Sequence, residues 1–271
     1  MHSGQTMFFL LMLYVFIRYI KAYFAPRTKV VYKNSNFIII DKDFDLKINS
    51  NDKNENTVQK FMKNKYPGLA NKLLTHEFYF VHRLDFATSG LMCIPANKHS
   101  CRIISDAFAR RTVKKYYVAL VRGLFSEEVV DVDVSIGQDL RFLEIEKMCT
   151  ANSKFCIRPR LSRTVFLVLE YGLYGNYPCT KILIRPVTGR RHQIRVHCNY
   201  LGHTIVGDYT YSNRKDSDPH RMFLNSTRLC FPYEAESYDF LIEDNFTKDW
   251  KSLGVINKFN NETFAKLDEL I

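Results

Sequence analysis

The stretch FVHRLDFATSGLM, residues 80–92, joins a polar segment to an apolar run that continues as GLMCIPA. Asp85 lies two positions after Arg83, and the turn residues Thr88-Ser89-Gly90 lead into a run typical of a buried strand. Asp85 has two interpretations. It caps a turn or pairs with a surface arginine, or a neighbouring positive charge keeps it ionised for attack or proton removal. The local sequence alone favours the first interpretation.

The segments on either side of this stretch predict an α+β fold with a largely antiparallel mixed sheet. Strands and helices follow one another without the regular alternation that builds a parallel sheet. The predicted strands are the two halves of VVYKNSNFIIIDKD, with Phe37–Ile40 in the second half, and GLMCIPA, TVKKYYVALVRG (Thr112–Gly123), TVFLVLEYG and TKILIRPV. The predicted helices lie in ENTVQKFMKNK before Pro67-Gly68, in HSCRIISDAFARR, in RRHQIRVHCNYLG before Gly202, and in KLDELI. LYGNYPC is predicted to be irregular.

The charge of the chain indicates a polyanionic partner. The formal net charge is +11 and the isoelectric point is about 9.2. Residues 234–271 contain nine acidic and four basic side chains, a net −5, so residues 1–233 carry +16. With 16 tyrosines and 21 phenylalanines, the basic part offers both phosphate-binding and base-stacking groups. A solvated basic surface over an aromatic core is the alternative, and composition does not decide between them.

The cysteines indicate a reducing compartment and no metal site. There are seven, an odd number, and no pair has the C-x-x-C spacing of a zinc ribbon. His192, His197 and Cys198 lie close in sequence, but no further ligand completes a metal-binding set. We therefore expect no metal and no cofactor.

Three segments are predicted: an N-terminal extension (1–26), a catalytic domain (27–233) and an acidic C-terminal tail with a helix (234–271). The apolar run Met7–Ile17 is too short to span a bilayer and lacks the flanks of a secretory signal. A signal-anchor, a mitochondrial presequence and an extension with no targeting role all stay open. The expected location is intracellular, in the cytoplasm or the mitochondrion, with membrane association through residues 7–24 as an alternative.

Two further clusters carry candidate functional residues. Lys115-Tyr116-Tyr117 begins a predicted strand, so the two tyrosines point to opposite faces and one of them can serve as a stacking platform in a basic cleft. Packing in the core is the alternative for both rings. In RPVTGRRHQIRVHCNYLGHTIVGDYTYS, residues 185–212, a helix would place Arg191 and Arg195 on one face with Arg190 at its start, where phosphates bind well. A solvated basic helix is the alternative there.

These stretches, in this order, resemble the RluA family of RNA pseudouridine synthases. HRLDFATSGLM is similar to the family's H-R-L-D-x-x-T-S-G-L motif, and RTVKKYYVALVRG to its K-x-Y-x-A-L-V-x-G strand. The third stretch is similar to the family's G-R-x-H-Q-I-R-x-H block, and VLEYGLYGNYPCTKILIRPVTGR is similar to animal members. The resemblance covers roughly residues 30–233. Thr204 and Asn225 depart from the family pattern, where Pro and often His stand, and we interpret both as bearing on target choice.

The resemblance implies the pseudouridine synthase catalytic fold with a central RNA-binding cleft, and an isomerase that needs no cofactor. Its catalytic residues would be Asp85, which attacks C1′ or starts proton abstraction from the sugar, Tyr117, which stacks on a flipped uracil, and Arg195, which pairs with Asp85. The residues that would bind RNA are His82, Arg83, Lys115, Arg190, Arg191 and His192, and Arg83 would also fill the space that the base vacates. The expected partner is RNA (tRNA, rRNA or mRNA) and the expected state is a monomer. A catalytically silent RNA-binding or ribosome-assembly factor is the alternative function.

Overall fold

A computed structural model describes residues 28–243, 246 and 250–271. Most of these residues belong to thirteen strands and four α-helices. The strands are β1 (Lys29–Lys33), β2 (Phe37–Lys42), β3 (Ser89–Pro95), β4 (Lys114–Arg122), β5 (Val129–Asp133), β6 (Ile136–Asp139), β7 (Met148–Thr150), β8 (Cys156–Arg160), β9 (Arg163–Tyr174), β10 (Tyr177–Pro186), β11 (Leu224–Tyr233), β12 (Glu236–Leu241) and β13 (Trp250–Val255). The helices are α1 (Val58–Lys65), α2 (Lys98–Ala109), α3 (Gln193–Tyr200) and α4 (Asn261–Glu269). Short 3-10 turns lie at Pro67–Leu69 and Leu140–Ile145.

Ten strands form one large sheet. Its order is β1-β2-β3-β11-β4-β10-β9-β13, with β12 added to β11 and β5 added to β9. Every neighbouring pair is antiparallel except β3 and β11, which run parallel over Ser89–Gly90 and Asn225–Ser226. The prediction of an α+β fold with a largely antiparallel mixed sheet is therefore confirmed.

Both faces of the sheet are covered, because its strands alternate apolar side chains between two cores. In β4, Val118 and Leu120 belong to the core that contains Phe264 of α4, whereas Ala119 belongs to the core that contains Ile194 of α3. This is the period of two that a strand imposes. Burial of each large apolar side chain stabilises the fold by about 1.5–3 kcal/mol.

The same alternation organises the other end of the sheet. Ile39 in β2 packs with Ile104 of α2, whereas Ile38 and Ile40 pack on the opposite face with Val58 of α1. The four helices are thus distributed over both faces of the sheet. The site described below lies next to β4, β10 and β11, which contribute residues to its lining.

The predicted helix boundaries agree with local capping. The side chain of Thr57 accepts a hydrogen bond from the backbone N–H of Lys60 and so caps the start of α1, which ends before Pro67. Asn97 caps α2 in the same way through the N–H of Ser100. The terminal helix is present but longer than predicted, since α4 begins at Asn261 rather than at Lys266.

The start of the helix in RRHQIRVHCNYLG was predicted wrongly. Helix α3 begins at Gln193, because His192 before it has a left-handed backbone with φ of 53°. The side-chain oxygen of Gln193 accepts hydrogen bonds from the N–H of Arg190 and the hydroxyl of Thr188, which fixes the preceding turn. Arg190 and Arg191 therefore lie in a turn before the helix, and Arg191 shares no helix face with Arg195.

Two other segments differ from the prediction. LYGNYPC is not irregular, because β9 and β10 pair along their whole length and turn at Gly175-Asn176, where Gly175 supplies a φ of +59°. In addition, β6, β7 and β8 form a separate three-stranded sheet, which we call the small sheet. Its strands have three to five residues, too few for a clear alternation of apolar and polar positions.

The division of the chain at residues 26 and 233 stays a prediction. Within residues 234–271, β12 pairs with β11, β13 pairs with β9, and α4 buries Phe264 and Leu267 in the core. The extension 1–26, with its membrane association through residues 7–24 and the location that depends on it, lies outside the described residues. No helix in the described part of the chain is long and apolar enough to cross a membrane.

Candidate active site

Asp85 lies in a tight loop that a buried lysine holds in place. The carbonyl of Asp85 accepts a hydrogen bond from the N–H of Thr88 (3.1 Å), which closes the turn before β3. The ammonium group of Lys42, at the end of β2, donates to the carbonyls of Asp43 (2.8 Å), Leu46 (2.9 Å) and Phe86 (3.1 Å). Lys42 is fully buried, and this burial lowers its pKa to about 7 although nearby carboxylates oppose the shift. The residue after Asp85 is thus fixed to β2.

Arg195 connects Asp85 to a second carboxylate beneath it. Its Nε and Nη2 donate to the two oxygens of Asp208 at 2.7 and 2.8 Å, and its Nη1 reaches Oδ2 of Asp85 at 3.5 Å. Burial lowers the pKa of Arg195, but the hydrogen bonds and charges of Asp208 and Asp85 outweigh it and raise the pKa above the usual value. Arg195 is 7% exposed, so it forms the floor of the site rather than a surface for phosphates.

His192 approaches Asp85 from the turn before α3. Its Nε2 lies 4.0 Å from Oδ2 of Asp85, and its Nδ1 lies 3.0 Å from the hydroxyl of Tyr211. Burial lowers the pKa of His192 to about 4 despite the opposing charge of Asp85. His192 is therefore neutral at physiological pH, and the positive charge beside Asp85 comes from Arg195.

Tyr117 lines the same pocket from β4. Burial raises the pKa of its hydroxyl to about 12, a hydrogen bond with Ser226 acts in the opposite direction, and the charge of Asp85 adds to the rise. The phenol is thus protonated at neutral pH and lies close enough to Asp85 to feel its charge. A tyrosine ring in a concave, basic pocket is a suitable surface for stacking a base.

His82 supports the Asp85 loop from behind. Its Nε2 accepts a hydrogen bond from the N–H of Cys93 (2.8 Å), and its ring stacks on Phe108 with centroids 4.6 Å apart. Burial and then the charge of Lys115 lower the pKa of His82 to about 3, so the ring is neutral. The acceptor nitrogen of His82 is already occupied, and its part in binding RNA stays a prediction.

The remaining predicted side chains meet at one pocket of about 520 Å³. Its lining contains Arg83, Lys115, Arg190 and Arg191, together with His82, Asp85, Tyr117, His192 and Arg195. Burial lowers the pKa of Lys115 to about 8. Arg191 differs from the others, because it pairs with Glu146 of the small sheet's connecting segment. The structure thus brings together all nine residues predicted from the sequence.

Two glycines permit the close packing beneath this pocket. Gly90 has a φ of +110°, and a Cβ there would lie 2.2 Å from the carbonyl oxygen of Ser226 in the parallel neighbour β11. Gly207 has a φ of +77°, and a Cβ would lie 2.0 Å from the carbonyl oxygen of Arg221. Glycine is therefore required at position 90, five residues after Asp85, and at position 207, directly before Asp208.

The two departures from the family pattern occupy different surroundings. Asn225 is buried in β11, and its Oδ1 accepts a hydrogen bond from the hydroxyl of Ser89 (2.6 Å), which itself accepts one from Arg221 (2.6 Å). The Nδ2 of Asn225 has no hydrogen-bond partner among the described residues. Thr204 contributes only a backbone carbonyl, which accepts from the N–H of Arg122 (2.9 Å), and its side chain does not line the pocket.

Sequence reasoning missed three side chains that hold this site: Lys42, Asp208 and Tyr211. Asp208 and Tyr211 lie in the quoted GDYTY segment, where a buried acid near a conspicuous turn could have been paired with an arginine of α3. Tyr211 also accepts a hydrogen bond from the N–H of Met148 (3.1 Å), which ties the small sheet to the site. Lys42 gave a weaker signal, because it is a single lysine that follows Asp41 after the apolar run Phe37–Ile40.

The arrangement can stabilise and use a carboxylate without a metal ion. Asp85 faces a pocket large enough for a nucleoside, with a permanent cation on one side and a protonated phenol nearby. Such a carboxylate can attack an electron-poor carbon or stabilise positive charge that develops on a sugar ring.

Comparison with known proteins agrees with this geometry. A family model described as RNA pseudouridylate synthase matches residues 29–200. A Danio rerio protein, RNA pseudouridylate synthase domain-containing protein 1, is 40% identical over 233 residues, which are 84% of this chain and 80% of the relative. The dual-specificity RNA pseudouridine synthase RluA of Vibrio parahaemolyticus is 34% identical over 160 residues, 58% of this chain and 61% of the relative.

A solved structure gives the same result for the fold. Human RNA pseudouridylate synthase domain containing 1 superposes with a TM-score of 0.79 at 33% identity, over 89% of this chain and 95% of that chain. The resemblance to the RluA family and to its animal members is thereby confirmed. The chain belongs to the RNA pseudouridylate synthase family, and it is an RNA pseudouridine synthase, an isomerase that acts on RNA.

Proposed function

We propose that Asp85 carries the isomerisation of a uridine that has been flipped out of the RNA into the pocket. Pseudouridine formation breaks the bond between N1 of uracil and C1′ of ribose and makes a bond between C5 and C1′. The target atoms are inaccessible in a stacked strand, so the nucleotide must turn outward to meet Asp85. The observation that carries the proposal is the position of Asp85, in contact with Arg195 and beside Tyr117 in a pocket of about 520 Å³.

Two routes to bond cleavage remain open, and Asp85 serves in each. In the first, an oxygen of Asp85 attacks C1′, and uracil leaves with the electron pair of the broken bond. In the second, Asp85 removes the proton from C2′ of the sugar, and that electron pair forms a C1′=C2′ double bond as uracil leaves with the pair of the N1–C1′ bond. After the uracil turns, C5 bonds to C1′, the proton returns to C2′, C5 loses its proton and N1 gains one. In the first route the uracil turns, C5 bonds to C1′ as the aspartyl ester leaves, C5 loses its proton and N1 gains one. Atoms balance without water, an oxidant or a cofactor.

Arg195 and Asp208 keep the acid oriented in this proposal. A carboxylate in a partly buried site needs a fixed counter-charge, and Arg195 supplies it while Asp208 prevents its guanidinium from closing fully on Asp85. Asp85 therefore keeps an oxygen available for the sugar. Arg195 is a permanent cation, so this support does not depend on pH in the physiological range.

Tyr117 would hold the uracil by stacking and assist the loss of the C5 proton. A neutral phenol accepts a proton only while it passes its own proton on, so assistance takes the form of a relay rather than of a free base. Arg83 is exposed at the mouth of the pocket and would occupy the space that the flipped uridine leaves in the RNA. Lys115, Arg190 and His192 would line the path of the strand.

The test uses purified full-length protein and total RNA from cells that lack it. Nucleoside mass spectrometry would measure pseudouridine after incubation with the wild type, Asp85→Asn or the control Asp239→Asn, which changes the same functional group on β12 outside the pocket. We expect pseudouridine to increase with the wild type and the control and to stay unchanged with Asp85→Asn, whose RNA affinity is kept.

Full activity of Asp85→Asn would exclude Asp85 as the acting group. Sequencing that maps pseudouridines with and without the protein would then identify the target among tRNA, rRNA and mRNA. Single-stranded or loop uridines are the expected class, because proteins select RNA sites largely through shape and through bases that can be splayed out.

A further inference from the structure

Two arginines that line the pocket and a third beside them come from different parts of the chain. Arg111 follows α2 and has a left-handed backbone with φ of 61°, and Arg190 lies in the turn before α3. Both line the pocket. Arg160 is the last residue of β8 in the small sheet. Arg190 reaches toward the small sheet, because its Nε donates a hydrogen bond to the carbonyl of Leu161 (3.1 Å), next to Arg160.

The three positive charges act on one another. The pKa of Arg190 is lowered, first by burial and then by the charges of Arg160 and Arg111. Arg160 and Arg111 are exposed, and Arg190 is half-buried. Like charges repel one another, so this arrangement is more favourable when an anion lies between or beside them.

No carboxylate pairs with these three side chains in residues 28–243 and 250–271. By contrast, many other arginines of the described chain have acidic partners. They are Arg110, Arg122, Arg141, Arg163, Arg185, Arg191, Arg195 and Arg228. At these three arginines, positive charge is therefore not compensated by a carboxylate of the described residues, and the acidic group of the pocket lining, Asp85, is engaged by Arg195.

We propose that Arg111, Arg160 and Arg190 form a binding site for a phosphodiester group of the RNA strand, beside the pocket that receives the target nucleoside. Guanidinium groups suit this ligand, because each presents a planar pair of donors to two phosphate oxygens. The inference rests on the proposed function, since the phosphate belongs to the RNA whose uridine enters the pocket. It adds two residues: Arg111, which lies four positions before the lysine of the K-x-Y motif, and Arg160 in the small sheet.

The proposal also gives the small sheet a role. Arg160 is its contribution to the phosphate site, and Glu146 and Met148 connect the small sheet to Arg191 and to Tyr211. Glu146 and Arg191 neutralise each other, so the charge that remains on this side comes from Arg160 and Arg190. In this proposal the small sheet thus helps to bind the RNA strand beside the pocket.

The experiment measures binding of a single-stranded oligouridylate to full-length protein by filter binding over a series of KCl concentrations. The variants are Arg111→Gln, Arg160→Gln and Arg190→Gln, with Arg160→Lys to restore the charge. Arg158→Gln is the control, because Arg158 lies on the same strand but is not among the described charges that act on Arg190. Thermal melting verifies that each variant is folded.

We expect each Arg→Gln change in the cluster to weaken binding roughly tenfold, the effect of losing one charge-assisted hydrogen bond. The slope of log affinity against log salt concentration should fall by about 0.7 for each phosphate contact that is lost. Arg160→Lys should recover most of the slope, and Arg158→Gln should leave affinity and slope unchanged. With substrate RNA, the variants should raise KM and keep kcat.

Unchanged affinity and slope in all three cluster variants would overturn the phosphate site, as would an equal loss with Arg158→Gln. An unchanged KM with a lowered kcat would also overturn it, since that pattern belongs to a residue acting in the chemical step. Failure of the proposed function is distinguishable, because it would appear as full activity of Asp85→Asn whatever the binding results.

Discussion

Arg195 binds Asp208 through two parallel hydrogen bonds of 2.7 and 2.8 Å, and both side chains are buried. A pair of this geometry fixes the plane of the guanidinium and leaves only Nη1 to face the pocket. The orientation of the group that contacts Asp85 is therefore set by a carboxylate that does not reach the pocket.

We expect Asp208→Asn to destabilise the protein by about 3–5 kcal/mol, because it leaves a buried arginine without its main counter-charge. The freed guanidinium would turn toward Asp85, and the molecules that stay folded would form pseudouridine more slowly. Chemical denaturation gives the stability, and single-turnover assays below the unfolding transition give the rate.

Asp239→Asn is the matched control for this change. Asp239 accepts two hydrogen bonds from Arg228 in the same geometry, at 2.5 and 2.9 Å, outside the pocket. We expect it to lose stability but to keep the single-turnover rate. Equal rates for the two variants would show that Asp208 serves stability alone.

Lys42→Met tests the attachment of the Asp85 loop. The change removes the ammonium group that donates to three backbone carbonyls. Each buried carbonyl that is left without a hydrogen bond costs about 1–3 kcal/mol of stability. We expect a lower unfolding free energy and a lower rate at fixed RNA concentration, because Phe86 and its neighbour Asp85 lose their fixed position. Urea unfolding and single-turnover assays measure the two effects.

The pH dependence of stability provides an internal control for Lys42. Its pKa is about 7 in the folded protein, below the unfolded value of about 10.4. Between these values the unfolded chain binds more protons, so this residue makes stability rise with pH from about 7 upward. We expect Lys42→Met to remove that rise. A wild-type and a variant curve of the same shape would contradict the lowered pKa.

Tyr117→Phe separates stacking from proton relay. The variant keeps the ring and loses the hydroxyl, so we expect RNA affinity to be kept and product formation to fall by about 10²-fold or more, as when a group that transfers a proton is removed. Tyr117→Leu should lose both affinity and rate. If Tyr117→Phe retained the full rate in single-turnover assays, the role of Tyr117 would be stacking alone.

The lowered pKa of Lys115 predicts that RNA binding depends on pH. Its pKa is about 8 in the free protein, and bound phosphate favours the charged form, so the pKa is higher in the complex. Affinity should be constant below pH 8 and fall as pH rises above it, while Lys115→Arg should bind equally across this range. Titrations of oligouridylate binding between pH 6 and 10 measure this, and a parallel fall in Lys115→Arg would assign the effect to another group.

The elements with strong alternation or capping could be predicted from the sequence, and those fixed by contacts distant in sequence could not. The run Phe37–Ile40 and the strand around Ala119 alternate between two cores, so their patterns are visible locally. The start of α3 was misplaced because one left-handed residue, His192, interrupts an otherwise helical pattern. The residue types around His192 do not indicate a left-handed backbone at this position.

The site shows the same division. The resemblance to the RluA family predicted that Asp85, Tyr117 and Arg195 lie together, and all three line the pocket. The position of Asp208, the partner of Arg195, depends on the turn that Gly207 permits. The position of Arg190 beside Arg160 depends on its contact with the segment after β8. Both depend on packing between segments that are distant in the chain, for which residue type and spacing carry little information.

The position of β11 between β3 and β4 has a consequence for synthesis of the protein. A nascent chain that ends before Leu224 has made the Asp85 loop and the Tyr117 strand but lacks the strand that joins them. The edges of β3 and β4 that face β11 stay unpaired until β11 emerges. Unpaired strand edges favour aggregation, and pairing between strands so distant in sequence slows folding. Catalytic competence therefore arrives late on the ribosome, with a strand that contributes almost none of the chemistry.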